Sequence, residues 1–145
     1  MIYKGESAMD HGEDILVVDD DRDLVNTISV VLESSGYRVR TAHNGKEGFL
    51  RIQEKRPDLI ILDVMMATDT EGFDLAHKLK RSPETSRIPI LMLTSFPQKM
   101  AESGPERFQH IMEEGWPVTQ FFEKPVDPNE LLTAVEDILR EEGKR

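Results

Sequence analysis

The sequence predicts an α/β domain in which a parallel sheet is covered by helices on both faces. Two observations carry this. Short, wholly aliphatic runs recur along the chain, as in Ile15 to Val18 and in "DLIILD", Asp58 to Asp63, and such runs mark strands buried on both sides. Between them the apolar residues change to a helical spacing, so strands alternate with helices, the pattern that gives a parallel sheet.

The elements follow in order. The first dozen residues are polar and without period, and are expected to form a flexible extension (1–12) to a domain at 13–142. After the first strand, Leu24, Val25, Ile28, Val31 and Leu32 define one face of a helix that Gly36 stops. "YRVRTA", Tyr37 to Ala42, alternates and reads as a second strand near an edge. Asn44 with Glu47 resembles a capping box for a helix through about Lys55, which Pro57 ends. The third strand is followed by a loop from Val64 to Glu71 and a helix at Gly72 to Arg81. "IPILMLT", Ile88 to Thr94, is the fourth strand, with Pro89 acceptable at its start. Ser103 and Glu106 suggest a helix beginning near Pro105. "TQFFEK", Thr119 to Lys124, is a short fifth strand. Asp127 as cap, Pro128 and Glu130 open the last helix, with Leu131, Leu132, Val135, Ile138 and Leu139 facing inward.

Composition narrows the function. The 145 residues suffice for one self-sustaining core. Eighteen basic against twenty-eight acidic residues, a net charge of -10, oppose direct binding to nucleic acid or to an anionic membrane. The absence of cysteine excludes disulfides, thiolate metal sites and cysteine nucleophiles. No apolar run approaches the roughly eighteen residues that span a bilayer, and a cytoplasmic protein is expected.

In a parallel sheet the carboxyl ends of all strands share one edge, where ligands bind. Asp19 and Asp20 follow the first strand, Asp63 the third, Thr94 the fourth and Lys124 the fifth. Singly these have ordinary explanations: Asp20 or Asp21 can cap the first helix, Thr94 can end a strand, and most lysines are solvated. Together they place carboxylates, a hydroxyl and an ammonium in one cleft. Clustered carboxylates need raised pKa values or a cation, and a hard divalent ion such as Mg²⁺ suits an all-oxygen site.

From Glu13 to Glu142, with Asp-Asp first and Lys-Pro last, the chain resembles the CheY-like response-regulator receiver domains. The resemblance implies a flavodoxin-like (βα)5 three-layer sandwich with strand order 2-1-3-4-5. It implies a phosphoacceptor of two-component signal transduction, not a turnover enzyme. Asp63 would take the phosphoryl group from a histidine kinase or histidine phosphotransfer protein. Asp20, Asp63 and the backbone carbonyl of Met65 would bind Mg²⁺ directly, and Asp19 through water. Lys124 would neutralise charge on the transferring group, and Thr94 would hydrogen-bond a phosphoryl oxygen and draw its loop inward. Phe121 holds the family's aromatic switch position, with plain core as its alternative reading. Lys124-Pro125 matches the family's cis peptide. A downstream protein partner is implied but not named, and a homodimer is compatible.

The chain departs from the family at several places. Met66 is followed by Ala67 where many members have proline, in a slightly longer loop. Thr94 and Lys124 are thirty positions apart, more than in compact members, with "FPQKMAESGP" as the surplus. Trp116-Pro117 reads either as an altered docking surface or as a core shield. Met65 cannot activate a water and Phe96 could shield the phosphoryl group, so a long-lived acyl phosphate is expected. Two rivals stand beside the main reading. One is a receiver-like interaction module that is never phosphorylated. The other is a haloacid-dehalogenase-like phosphatase using Asp19, which gives Asp63 no task. The sequence leaves open whether this is a single-domain regulator or the receiver segment of a longer protein.

Overall fold

The computed structural model describes residues 12–63, 71–94 and 119–143. The helix expected near Pro105, with Met65, Phe96 and Trp116, lies outside them. Five strands, β1 (Asp14–Val18), β2 (Arg38–Ala42), β3 (Leu59–Asp63), β4 (Ile90–Thr94) and β5 (Gln120–Glu123), form one sheet in the order β2-β1-β3-β4-β5. All four pairings are parallel. The described helices are α1 (Arg22–Ser34), α2 (Gly45–Glu54), α3 (Glu71–Arg81) and α4 (Pro128–Gly143).

Strand alternation divides the core into two layers. Ile15, Val17, Leu59, Ile61, Leu91 and Leu93 point to the side covered by α1 and α4. Leu16, Val18, Ile60, Leu62, Ile90 and Met92 point to the side covered by α2 and α3. Because β1, β3 and β4 lie inside the sheet, both sets are buried, which explains the unbroken aliphatic runs. β2 and β5 are the outer strands and carry polar residues accordingly.

Helix ends follow from local chemistry. The Asp21 side chain accepts from the amides of Asp23 and Leu24, capping α1. Gly36, with φ 95°, closes the same helix. Its amide donates to Glu33 O and that of Tyr37 to Leu32 O, a Schellman pair that draws Tyr37 out of β2 and buries it with Leu32. At α2, Asn44 Oδ1 accepts from Glu47 N at 2.7 Å, as expected, but the return bond from Glu47 goes to His43 N at 3.1 Å. Asp127 Oδ1 accepts from Asn129 N at 2.8 Å and caps α4, with Pro128 at its first position. Pro89 lies just outside β4, where only its carbonyl is needed, and accepts from Ile60 N. Glu71, which the sequence placed in the loop, is the first residue of α3.

Candidate functional site

The register fixes the site before any side chain is considered. Val18 pairs with Leu62, so Asp19 follows β1 at the level where Asp63 ends β3. Thr94 pairs with Glu123, which leaves Lys124 just past the end of β5. The Asp19 amide donates to Ala42 O at 3.1 Å and the Lys124 amide to Thr94 O at 2.7 Å, so backbone bonds from neighbouring strands hold both ends in place.

The acidic cluster after β1 has a division of labour. Asp21 caps α1, and Asp23 lies in the first turn of that helix, where its charge meets the positive end of the helix dipole. Asp19 is fully buried and Asp20 exposed. Asp19 Oδ1 accepts from the Asp21 amide at 3.0 Å, which orients its other oxygen.

Lys124 joins two strands. Its Nζ lies 3.0 Å from Asp19 Oδ2 and 3.4 Å from Asp63 Oδ1. Burial pulls the Lys124 pKa down, but the charges of Asp63 and Asp19 outweigh it and hold the ammonium above the ordinary lysine range. Asp19 Oδ2 is buried, and the charged group facing it is the Lys124 ammonium. Thr94, at the end of β4, is buried beside them. The Lys124-Pro125 peptide is cis.

One carboxylate oxygen from each of Asp19, Asp20 and Asp63 falls within 4.8 Å of the others. Among the described residues one ammonium faces these three carboxylates, so negative charge is in excess there. The donors are all oxygen and close enough to share one ion, directly or through water. This set fits a hard divalent cation, with magnesium favoured by the small number of carboxylates. The structure brings Asp19, Asp20, Asp63, Thr94 and Lys124 to one edge of the sheet. Phe121 sits elsewhere: half-buried in β5, it packs against the core layer on the α2 and α3 side.

Two polar arrangements escaped the sequence reading. Asp14, at the opposite end of β1, is buried against the Arg40 guanidinium, with Nε at 3.0 and 3.2 Å from its two oxygens. Arg40 also donates to the carbonyls of Arg51 and Lys55, closing the end of α2. Glu71 accepts from the amide of Gly45 across the α2–α3 interface. An acidic residue just before a buried strand, with arginine alternating in the next one, was the available signal for the first. The second had none in local spacing.

A five-stranded parallel sheet in this order, with buried acids and a lysine at its carboxyl edge, defines a receiver domain. The chain belongs to the response regulator receiver domain family, whose model matches residues 15–136. Among curated relatives it is 36% identical over 132 residues to the phosphate regulon transcriptional regulatory protein PhoB of Pseudomonas aeruginosa, covering 91% of this chain and 54% of that protein. The chain therefore spans about half the length of that relative. Among solved structures it is similar to the signal receiver domain of a signal transduction histidine kinase from Syntrophus aciditrophicus. That match has a TM-score of 0.75 and 30% identity, and covers 89% of this chain and 91% of the other. The chemotaxis response regulator CheY4 of Vibrio cholerae gives a TM-score of 0.71 at 32% identity, with 87% and 98% covered. Receiver domains are signalling modules of two-component systems, not turnover enzymes, and they bind Mg²⁺ at an acidic pocket. No described helix is long and apolar enough to cross a membrane.

Proposed function

We propose that Asp63 is the phosphoacceptor of this receiver and that residues 13–142 form the receiver unit. The supporting observation is Lys124 Nζ bridging Asp19 and Asp63 in a pocket with excess negative charge. A carboxylate oxygen of Asp63 attacks the phosphorus of a phosphohistidine on a histidine kinase or histidine phosphotransfer protein. A P–O bond forms, the P–N bond breaks and the imidazole leaves with the electron pair, taking up a proton. Lys124, kept protonated by its two carboxylates, neutralises charge on the transferring group.

Asp20, Asp63 and the Met65 carbonyl would hold magnesium, with Asp19 joined through water; when bound, the ion supplies further charge neutralisation. The Thr94 hydroxyl then donates to a phosphoryl oxygen. Because the Lys124 amide is bonded to Thr94 O, a shift at Thr94 is passed to β5, which carries Phe121. A downstream protein reads the change. The phosphatase rival gave Asp63 no part, whereas here Asp63 shares Lys124 with Asp19.

The test is covalent labelling with acetyl phosphate or phosphoramidate. Stoichiometric, magnesium-dependent modification is expected in the parent protein and in Thr94→Ala, and none in Asp63→Asn. Undiminished label in Asp63→Asn, or label carried by Asp19, would overturn the assignment.

A further inference from the structure

α2 and α3 leave a groove between them on their side of the sheet. It consists of two adjoining clefts, of about 440 and 530 Å³, that share Phe49, Gln53 and Lys78. Their lining is largely apolar: Leu75 and Ile52 are buried, Phe49 is half-buried and Leu50 is 48% exposed. Two contacts between the helices set the width of the groove. The Gly45 amide donates to Glu71, and Lys78 Nζ lies 3.8 Å from the centre of the Phe49 ring. A groove already shaped in this way leaves a ligand little ordering cost.

Charge distinguishes this face from the opposite one. α1 and α4 carry two basic and seven acidic side chains, whereas α2 and α3 carry five basic and four acidic. Lys46 and Lys78 line the first cleft, one from each helix, and Arg56 lines the second beside Lys55, which is turned to Asp14. Of the acids alongside them, Glu71 accepts from the Gly45 amide and Glu54 pairs with Arg51 at 3.2 Å. Asp74 and Glu84 are the other two, one in each cleft. The result is an apolar trough with a basic margin, on a chain of net charge -10.

We propose that this groove docks an acidic amphipathic helix of a partner protein. α2, 10 residues long, offers roughly 15 Å of groove, enough for apolar side chains at i, i+4 and i+7 of the incoming helix. These cover Leu50 and Phe49, while carboxylates beside them meet Lys46 and Lys78. The acidic layer of α1 and α4 repels the same helix, so charge selects the face. A second copy of this chain fits less well, since two bodies of charge -10 repel each other throughout their approach.

The experiment uses the full chain and a fluorescent, stapled helical peptide with leucines at i, i+4 and i+7 flanked by glutamates, followed by anisotropy and by amide NMR shifts. Saturable binding is expected, with shifts on α2 and α3, and it should weaken as salt rises. Leu50→Ser should weaken it roughly tenfold through lost apolar burial, and Lys46→Glu with Lys78→Glu by about as much. Val30→Ser, which changes an exposed residue of α1, should leave it unaltered. The doubly reversed variant should instead take the peptide with lysines in place of glutamates, a swap that unfolding could not produce. Absence of saturable binding, shifts on α1 and α4, or tighter binding of the lysine peptide by the parent overturns the proposal. So does a dimer in sedimentation that Leu50→Ser dissolves, because a second copy would then be the occupant.

Discussion

Asp14 and Asp19 stand at opposite ends of the same strand, both buried, in opposite electrostatic settings. Asp14 meets the Arg40 guanidinium through both oxygens and lies 3.4 Å from Lys55 Nζ, and its amide donates to Asp58. Asp19 shares Lys124 with Asp63, while Asp20 adds a third carboxylate nearby. At the amino edge, charge is matched inside the molecule. At the carboxyl edge, among the described residues, it is left in excess, an arrangement that suits a bound cation. Burial alone therefore does not separate a structural carboxylate from a functional one; the count of opposing charges does.

The comparison can be broken first at its matched end. Arg40→Ala leaves buried Asp14 with only the exposed Lys55 ammonium and uncaps α2, so a loss of about 3 kcal/mol is expected in urea unfolding, near the lower end for a buried pair deprived of one partner. Phosphate labelling of the folded fraction should stay stoichiometric. A loss below about 1 kcal/mol would show the amino-edge cluster to be a spectator.

At the unmatched end the signs reverse. Asp19→Asn keeps an acceptor for the Asp21 amide but relieves carboxylate crowding, so without metal it should raise stability by about 1 kcal/mol, as removal of functional strain commonly does. With Mg²⁺ at about a hundred times the dissociation constant, the parent should gain about 2.7 kcal/mol and the variant clearly less. If Asp19→Asn lowers metal-free stability, the cleft is not overcharged.

The smallest effect sharpens the contrast at high pH. Burial, then the carboxylates of Glu136 and Glu13, push the Tyr37 hydroxyl up to about 12, with Arg140 opposing. A raised folded-state pKa means that the neutral phenol's stabilisation is complete below the unfolded value near 10 and is lost as pH rises through about 12. Lys124, also raised, follows the same sign, its ion pairs holding until the ammonium titrates above the ordinary lysine range. Phenolate absorbance in a Tyr3→Phe background should show Tyr37 titrating near 12 when folded and near 10 in urea. A folded midpoint near 10 would remove this contribution.

What could be read from sequence follows from how local each cause is. Strand alternation, the helix faces, Asp21 as a cap and the Gly36 stop depend on neighbours a few positions away, and all are visible in order. The grouping of Asp19, Asp63, Thr94 and Lys124 was legible because parallel strands must end together. Asp14 with Arg40 was not, since it depends on the register that sets Leu16 beside Arg40 and on the end of α2 lying over both. Glu71 with Gly45 was hidden for the same reason: two helices twenty-six positions apart must first be packed. Tyr37 was assigned to β2 because alternation extends through it, whereas the αL turn at Gly36 claims it for the helix end.

The outer strands have a consequence for crowded solution. β2 displays Arg38, and β5 displays Gln120 and Glu123, along the two margins of the sheet. A strand from another molecule adding at either margin would have to strip water from fixed charges, which discourages fibrous growth.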